Sequence, residues 1–130
     1  MTLPLWCLFI TSLIPIMAAG TGSAARLKQP GGLDNKNPRQ QIAQLDGVGA
    51  RAYAAQANAW EALALFTVAV VINHLAGGAA GPSGILALIF VAARLGHLGA
   101  YLADQDKLRS VSFAVAWLCC VGLVVLGALA

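Results

Sequence analysis

The stretch Phe90 to Ser110, FVAARLGHLGAYLADQDKLRS, decides the reading, because its apolar run carries Arg94, His97 and Tyr101 where lipid-facing residues belong. At about 100° per helical residue these three positions fall within about 60° of one another, so one narrow stripe is polar and its flanks are apolar. Such a stripe has to face protein or water. A charged arginine inside a spanning segment costs about 3 kcal/mol on insertion scales and is kept where it meets a bundle interior, a cavity or a ligand. A purely structural role competes with a functional one: Arg94 can snorkel to headgroups, and His97 can hydrogen-bond a neighbouring helix.

The rest of the chain agrees that this is a membrane protein. Of its 130 residues 59% are hydrophobic and only 10% charged, with a mean hydropathy of +0.77, whereas a soluble domain carries about 25% charge. Four helices of roughly 20 residues would use about 80 residues, which leaves loops but no second domain. The expected architecture is one all-α domain over 1–130, a bundle of four transmembrane helices with spans near 3–25, 55–76, 83–103 and 110–129. Fourteen glycines and abundant alanine favour close helix packing. The net charge of +3 sits beside apolar spans, which speaks for loop bias and against nucleic-acid binding. Cys7, Cys119 and Cys120 lie within spans and lack the repeated spacing of a zinc site, so they read as small buried apolar residues, and no metal is expected.

Leu3 to Ala25 is charge-free and has no basic residue before it. It reads as a permanent first helix more than as a cleaved signal peptide, with Trp6 at an interface and Pro15 as a kink. Arg26 to Gly49 is the long polar interval, where Asn37 and Pro38 announce a short surface helix over Arg39 to Leu45. The second long helix should begin near Gly49 and run to about His74. Arg51, Asn58 and Glu61 share one face of it, Asn58 and Glu61 lying at about 340° and 280° from Arg51. Glu61 is the only glutamate, and at its depth it needs a cationic or hydrogen-bonding partner, Arg94 being the simplest. Asn73 and His74 read as interfacial or capping groups. Ala76 to Gly84 is an uncharged turn, and Asp104 to Arg109 a charged one. Lys and Arg cluster in the first interval and the last turn, so the positive-inside rule puts both termini outside the cytoplasm. Arg51, Asn58, Glu61, Arg94, His97, Tyr101, Arg109 and Ser110 then gather toward one membrane face.

RAYAAQANAWE (Arg51 to Glu61) and ARLGHLGAYLADQDKLRS (Ala93 to Ser110), taken together, resemble the MAPEG superfamily, the membrane-associated proteins of eicosanoid and glutathione metabolism, in its short bacterial form. The resemblance covers the whole chain in length and layout. It implies a homotrimer in a bacterial inner membrane, with glutathione as co-substrate bound between subunits near the cytoplasmic face and an apolar, lipid-soluble second substrate. By the same resemblance Asn58 and Glu61 hold the amine and amide of the tripeptide, and Arg94, His97 and Tyr101 position it. Arg109 and Ser110 lie at the sulfur, and Arg51 or Arg26 meets a carboxylate. The implied activity is conjugation of glutathione to apolar electrophiles or reduction of lipid hydroperoxides. A non-catalytic binder of lipid or small molecules, like the lipoxygenase-activating protein of that superfamily, is the alternative. Ala57, where several catalytic relatives have a second arginine, favours weaker tripeptide binding. A small exporter fits less well, since its essential acid belongs in a first span that here has none.

Overall fold

The computed structural model describes all 130 residues, and they form five helices and no strand. These are α1 (Leu3–Leu27), the short α2 (Pro38–Ala43), α3 (Gly47–Leu75), α4 (Ala80–Leu102) and α5 (Asp106–Ala128). Four of them are long and apolar enough to cross a membrane. A helix satisfies its own backbone groups, which hydrocarbon cannot do for it, so continuous helices are what these apolar runs must form. Large apolar side chains such as Phe9, Ile16, Val68, Ile85 and Leu118 stand exposed around the outside, as a lipid-facing surface requires.

The long helices occupy four corners in the order α1, α3, α5, α4, with α1 against α3 and α4 against α5 as the most extensive pairings. α3 and α4 also touch across the diagonal. There the buried rings of Phe66 and Phe90 stack at 3.8 Å, nearly parallel at 6°. Small residues bring the other helices close. A Cβ added to Gly22 on α1 would come within 2.5 Å of the Tyr53 ring on α3, so that crossing requires glycine.

Each long helix extends beyond the expected span at one end. α3 starts eight residues before position 55, because a helix that protrudes into water needs no apolar residues there. α5 starts at Asp106, so Arg109 and Ser110 sit one turn inside the helix and not at its first residues. Two helix ends close on left-handed residues. Gly77 (φ 78°) ends α3, with Gly78 N–H donating to Asn73 O at 2.9 Å. Asp104 (φ 59°) ends α4, with Gln105 N–H donating to Ala100 O at 2.8 Å. This wrap back onto the last turn leaves only three residues between α4 and α5 and sets Tyr101 beside Arg109.

Asn73 is a buried clamp, not the interfacial or capping group its position suggests. Its Nδ2 donates to Leu123 O on α5 at 2.9 Å. Asn37 occupies the N-cap position of α2 without a capping bond from its side chain. Asp34 braces the turn that leads into α2 instead, its Oδ1 accepting from the N–H groups of Lys36 and Asn37 at 2.9 Å each.

Candidate functional site

Spacing along α4 puts Arg94, His97 and Tyr101 one turn apart on a single face, and the fold turns that face inward. Arg94 is 2% exposed and His97 3%. Tyr101 meets the imidazole edge-on, with ring centroids 5.4 Å apart. From α5, the guanidinium carbon of Arg109 lies 4.5 Å from the Tyr101 ring centroid, a cation over a π face.

The diagonal contact joins α4 to α3 through one strong bond. Arg94 Nη2 donates to Asn58 Oδ1 at 2.7 Å. Arg94 Nη1 is buried and has no partner at all. Glu61 does not take the partner role that the sequence suggests for it, since no carboxylate oxygen lies within 4.0 Å of Arg94. Its side chain is exposed and lines the same cavity as Arg94.

That cavity, of about 130 Å³, lies between α3, α4 and α5, with Asn58, Glu61 and Arg94 as its polar wall and Leu65, Phe90, Phe113, Trp117 and Cys120 as its apolar one. A second, of about 250 Å³, is lined by Asn58, His97, Tyr101, Arg109, Ser110 and Phe113. Asn58 and Phe113 belong to both, so the two adjoin. A third, wholly apolar groove of about 280 Å³ between α3 and α5 shares Leu65, Trp117 and Cys120 with the first. The result is a path from cationic and hydroxyl groups near the α4–α5 turn, past a buried guanidinium, to a surface of aliphatic side chains.

Seven of the eight residues singled out from the sequence line the first two cavities. Arg51 does not line either. Its Nε donates to Leu102 O at 3.4 Å and its Nη1 lies 3.7 Å from Asp104 Oδ2, so it ties the start of α3 to the end of α4. Arg26 is likewise occupied, bonded to Gln41 and to the carbonyl of Asp34. Ser110 Oγ donates to Asp106 O at 3.0 Å, so its one proton is already spent. The apolar wall from α5 was missed. Phe113, Ala116 and Cys120 follow Arg109 by four, seven and eleven residues, which is the helical repeat that would have found them.

A small bundle of four helices long and apolar enough to span a membrane, with ionisable side chains lining its internal cavities, defines a polytopic helical membrane protein. The model of the MAPEG family matches residues 3–129, nearly the whole chain, and the protein belongs to that family. The family includes glutathione-dependent transferases and peroxidases as well as non-catalytic members. Among curated proteins, none matches the chain.

Proposed function

We propose that this protein is a glutathione-dependent membrane enzyme that conjugates the tripeptide to apolar electrophiles or uses it to reduce lipid hydroperoxides. The observation that carries the reading is Arg94, a buried guanidinium with Nη2 bonded to Asn58 and Nη1 buried without a partner beside an open cavity. An unmet buried donor of this kind costs about 1 to 3 kcal/mol, a cost that a carboxylate ligand removes. Glutathione offers two carboxylates, an ammonium and a thiol. The exposed carboxylate of Glu61, unpaired with any cation of the chain, suits the ammonium.

The thiol belongs in the adjoining cavity, near Arg109. A free thiol has a pKa near 8.5, so only a few per cent is thiolate at neutral pH. The fixed charge of Arg109, one turn inside the positive end of α5, favours the anion, and His97 and Tyr101 hold the peptide. Ser110 helps only by turning its hydroxyl away from Asp106. In conjugation the sulfur lone pair forms the carbon–sulfur bond while the leaving group departs with its electrons, the thiol proton having passed to water. In reduction, two glutathiones and one hydroperoxide give the disulfide, an alcohol and water. An apolar partner reaches the sulfur along the α3–α5 groove. We place the site at the cytoplasmic leaflet of a bacterial inner membrane, with both termini on the far side, and assign the active species to a homotrimer.

Titration calorimetry of the detergent-solubilised protein with glutathione tests binding, and the oligomer mass with the ligand present tests the trimer. Turnover of a halonitrobenzene and of a lipid hydroperoxide tests catalysis. Arg109→Ala should lower turnover about 100-fold, the usual effect of deleting a group that stabilises developing or fixed anionic charge. Equal rates for both proteins would remove Arg109 from the mechanism. The apolar groove would then favour the second reading, a non-catalytic binder of lipid or small molecules.

A further inference from the structure

The opposite end of the bundle holds a cavity that the proposed chemistry does not use. It measures about 340 Å³ and is lined by the first residues of α1 and α4 and by the α3–α4 turn, with Thr2, Asn73, His74 and Ser83 as its polar side chains. Ser83 is 1% exposed, and its Oγ has no hydrogen-bond partner. A serine in the first turn of a helix ordinarily bonds back to its own backbone, and here only the Ser83 N–H does so, to Ala79 O at 3.1 Å.

Two helices begin at this cavity without caps. Thr2 precedes α1 but makes no capping bond, and the residue before α4 is Ala79, whose methyl group offers none. Their first N–H groups therefore keep their partial positive charge. The C-terminus of α3 reaches the same place, and two of its last carbonyls are already satisfied. Gly78 N–H donates to Asn73 O and Gly77 N–H to His74 O. No carboxylate lines the cavity. A buried hydroxyl and two uncapped helix ends offer donors with no carboxylate to take them, and a ligand rich in acceptors meets that need.

We propose that the cavity between the N-termini of α1 and α4 and the α3–α4 turn binds a phosphate oxyanion, carried by a phospholipid headgroup or free in solution. Ser83 donates from the floor, the two helix ends supply positive potential, and the His74 ring at the rim adds a further donor. No Lys or Arg takes part, so the affinity rests on neutral donors and helix ends, as at other helix-terminal phosphate sites. Leu3, Leu75 and Ile85 stand exposed around the cavity, a surface on which acyl chains can lie.

The test is native mass spectrometry of the delipidated protein with phosphatidylglycerol, with diacylglycerol as the phosphate-free control and inorganic phosphate as competitor. Two variants report on the site. Ser83→Ala removes the buried donor, and Ala80→Asp sets a carboxylate at the first residue of α4, where the helix dipole accommodates it and the fold is kept. Retention of phosphatidylglycerol should fall about tenfold in the first, the usual effect of one lost hydrogen bond of about 1.4 kcal/mol, and further in the second. Displacement by inorganic phosphate identifies a site for the free ion, and resistance to it a headgroup site. Equal retention of diacylglycerol, or unchanged retention in Ala80→Asp with an unaltered melting temperature, would overturn the proposal. Glutathione titrations belong to the other end of the bundle and should not respond to either variant.

Discussion

Two buried arginines in this protein are held in opposite ways. Arg26, at the end of α1, is 7% exposed and has no buried nitrogen without a partner. Its Nε donates to Gln41 Oε1 at 2.7 Å and its Nη2 to Asp34 O at 3.1 Å. Gln41 also accepts from Asp34 N–H and donates to Gly32 O, so the long polar interval is pinned to α1 through one amide. Arg94 has one bond to Asn58 and one buried nitrogen with no partner. A guanidinium with no buried nitrogen left unmet holds structure together, whereas one with a buried donor to spare beside a cavity is the one proposed to meet a ligand. Burial alone does not separate the two roles, but the count of unmet donors does.

The largest expected effect tests that separation directly. Arg94→Ala should weaken glutathione binding about 100-fold or more, since charge-assisted hydrogen bonds are worth about 1.5 to 3 kcal/mol each. Arg26→Ala should leave binding within about twofold, well inside the effect of a single hydrogen bond. Calorimetric titration of both variants checks the pair, and comparable losses in both would erase the distinction. Next, Gln41→Ala strands the buried Arg26 and should destabilise the protein by about 2 kcal/mol, read as a shift in detergent-phase melting, with glutathione affinity unchanged. Asn58→Ala removes Arg94's only partner and should cost about tenfold in affinity, near 1.4 kcal/mol. Were stability and not affinity to change, the Asn58–Arg94 bond would belong with Arg26 as a structural clamp.

The smallest effect is pH-dependent. The backbone N–H of Asn37 holds the Asp34 carboxylate below its ordinary range, helped by the N–H of Lys36 and by the Arg26 charge. A depressed carboxylate pKa adds stability that is fully present above the unfolded value, about 3.9, and is lost as pH falls through the folded value below it. Limited proteolysis of the Arg26-to-Gly49 interval should therefore quicken only below about pH 4. Asp34→Asn should flatten that response, and a response unchanged in the variant would assign the titration to another group.

How much of this was visible beforehand differs between the fold and the site. The four spans follow from run length and charge content, because bilayer thickness and the cost of burying charge act on composition alone. The α4 stripe was legible for a similar reason, since spacing along one helix sets which of its own residues share a face. Partners across helices were not. Arg51, Asn58 and Glu61 share an angular sector, yet Arg51 lies ten residues from Glu61, about 15 Å along the axis, and meets the α4–α5 turn instead. Glu61 and Arg94 looked like the natural ion pair, and the structure joins Arg94 to Asn58.

By itself, then, the amino-acid order determined a four-span helical protein with polar residues turned away from lipid, because period, length and solvation are local properties of a chain. Only the tertiary structure decided which donor was used and which was left over. The rotation and axial offset of each helix come from contacts such as the Phe66–Phe90 stack and the seat of Tyr53 against Gly22. Those offsets amount to a few ångströms, which is the whole reach of a hydrogen bond, and no helical periodicity encodes them.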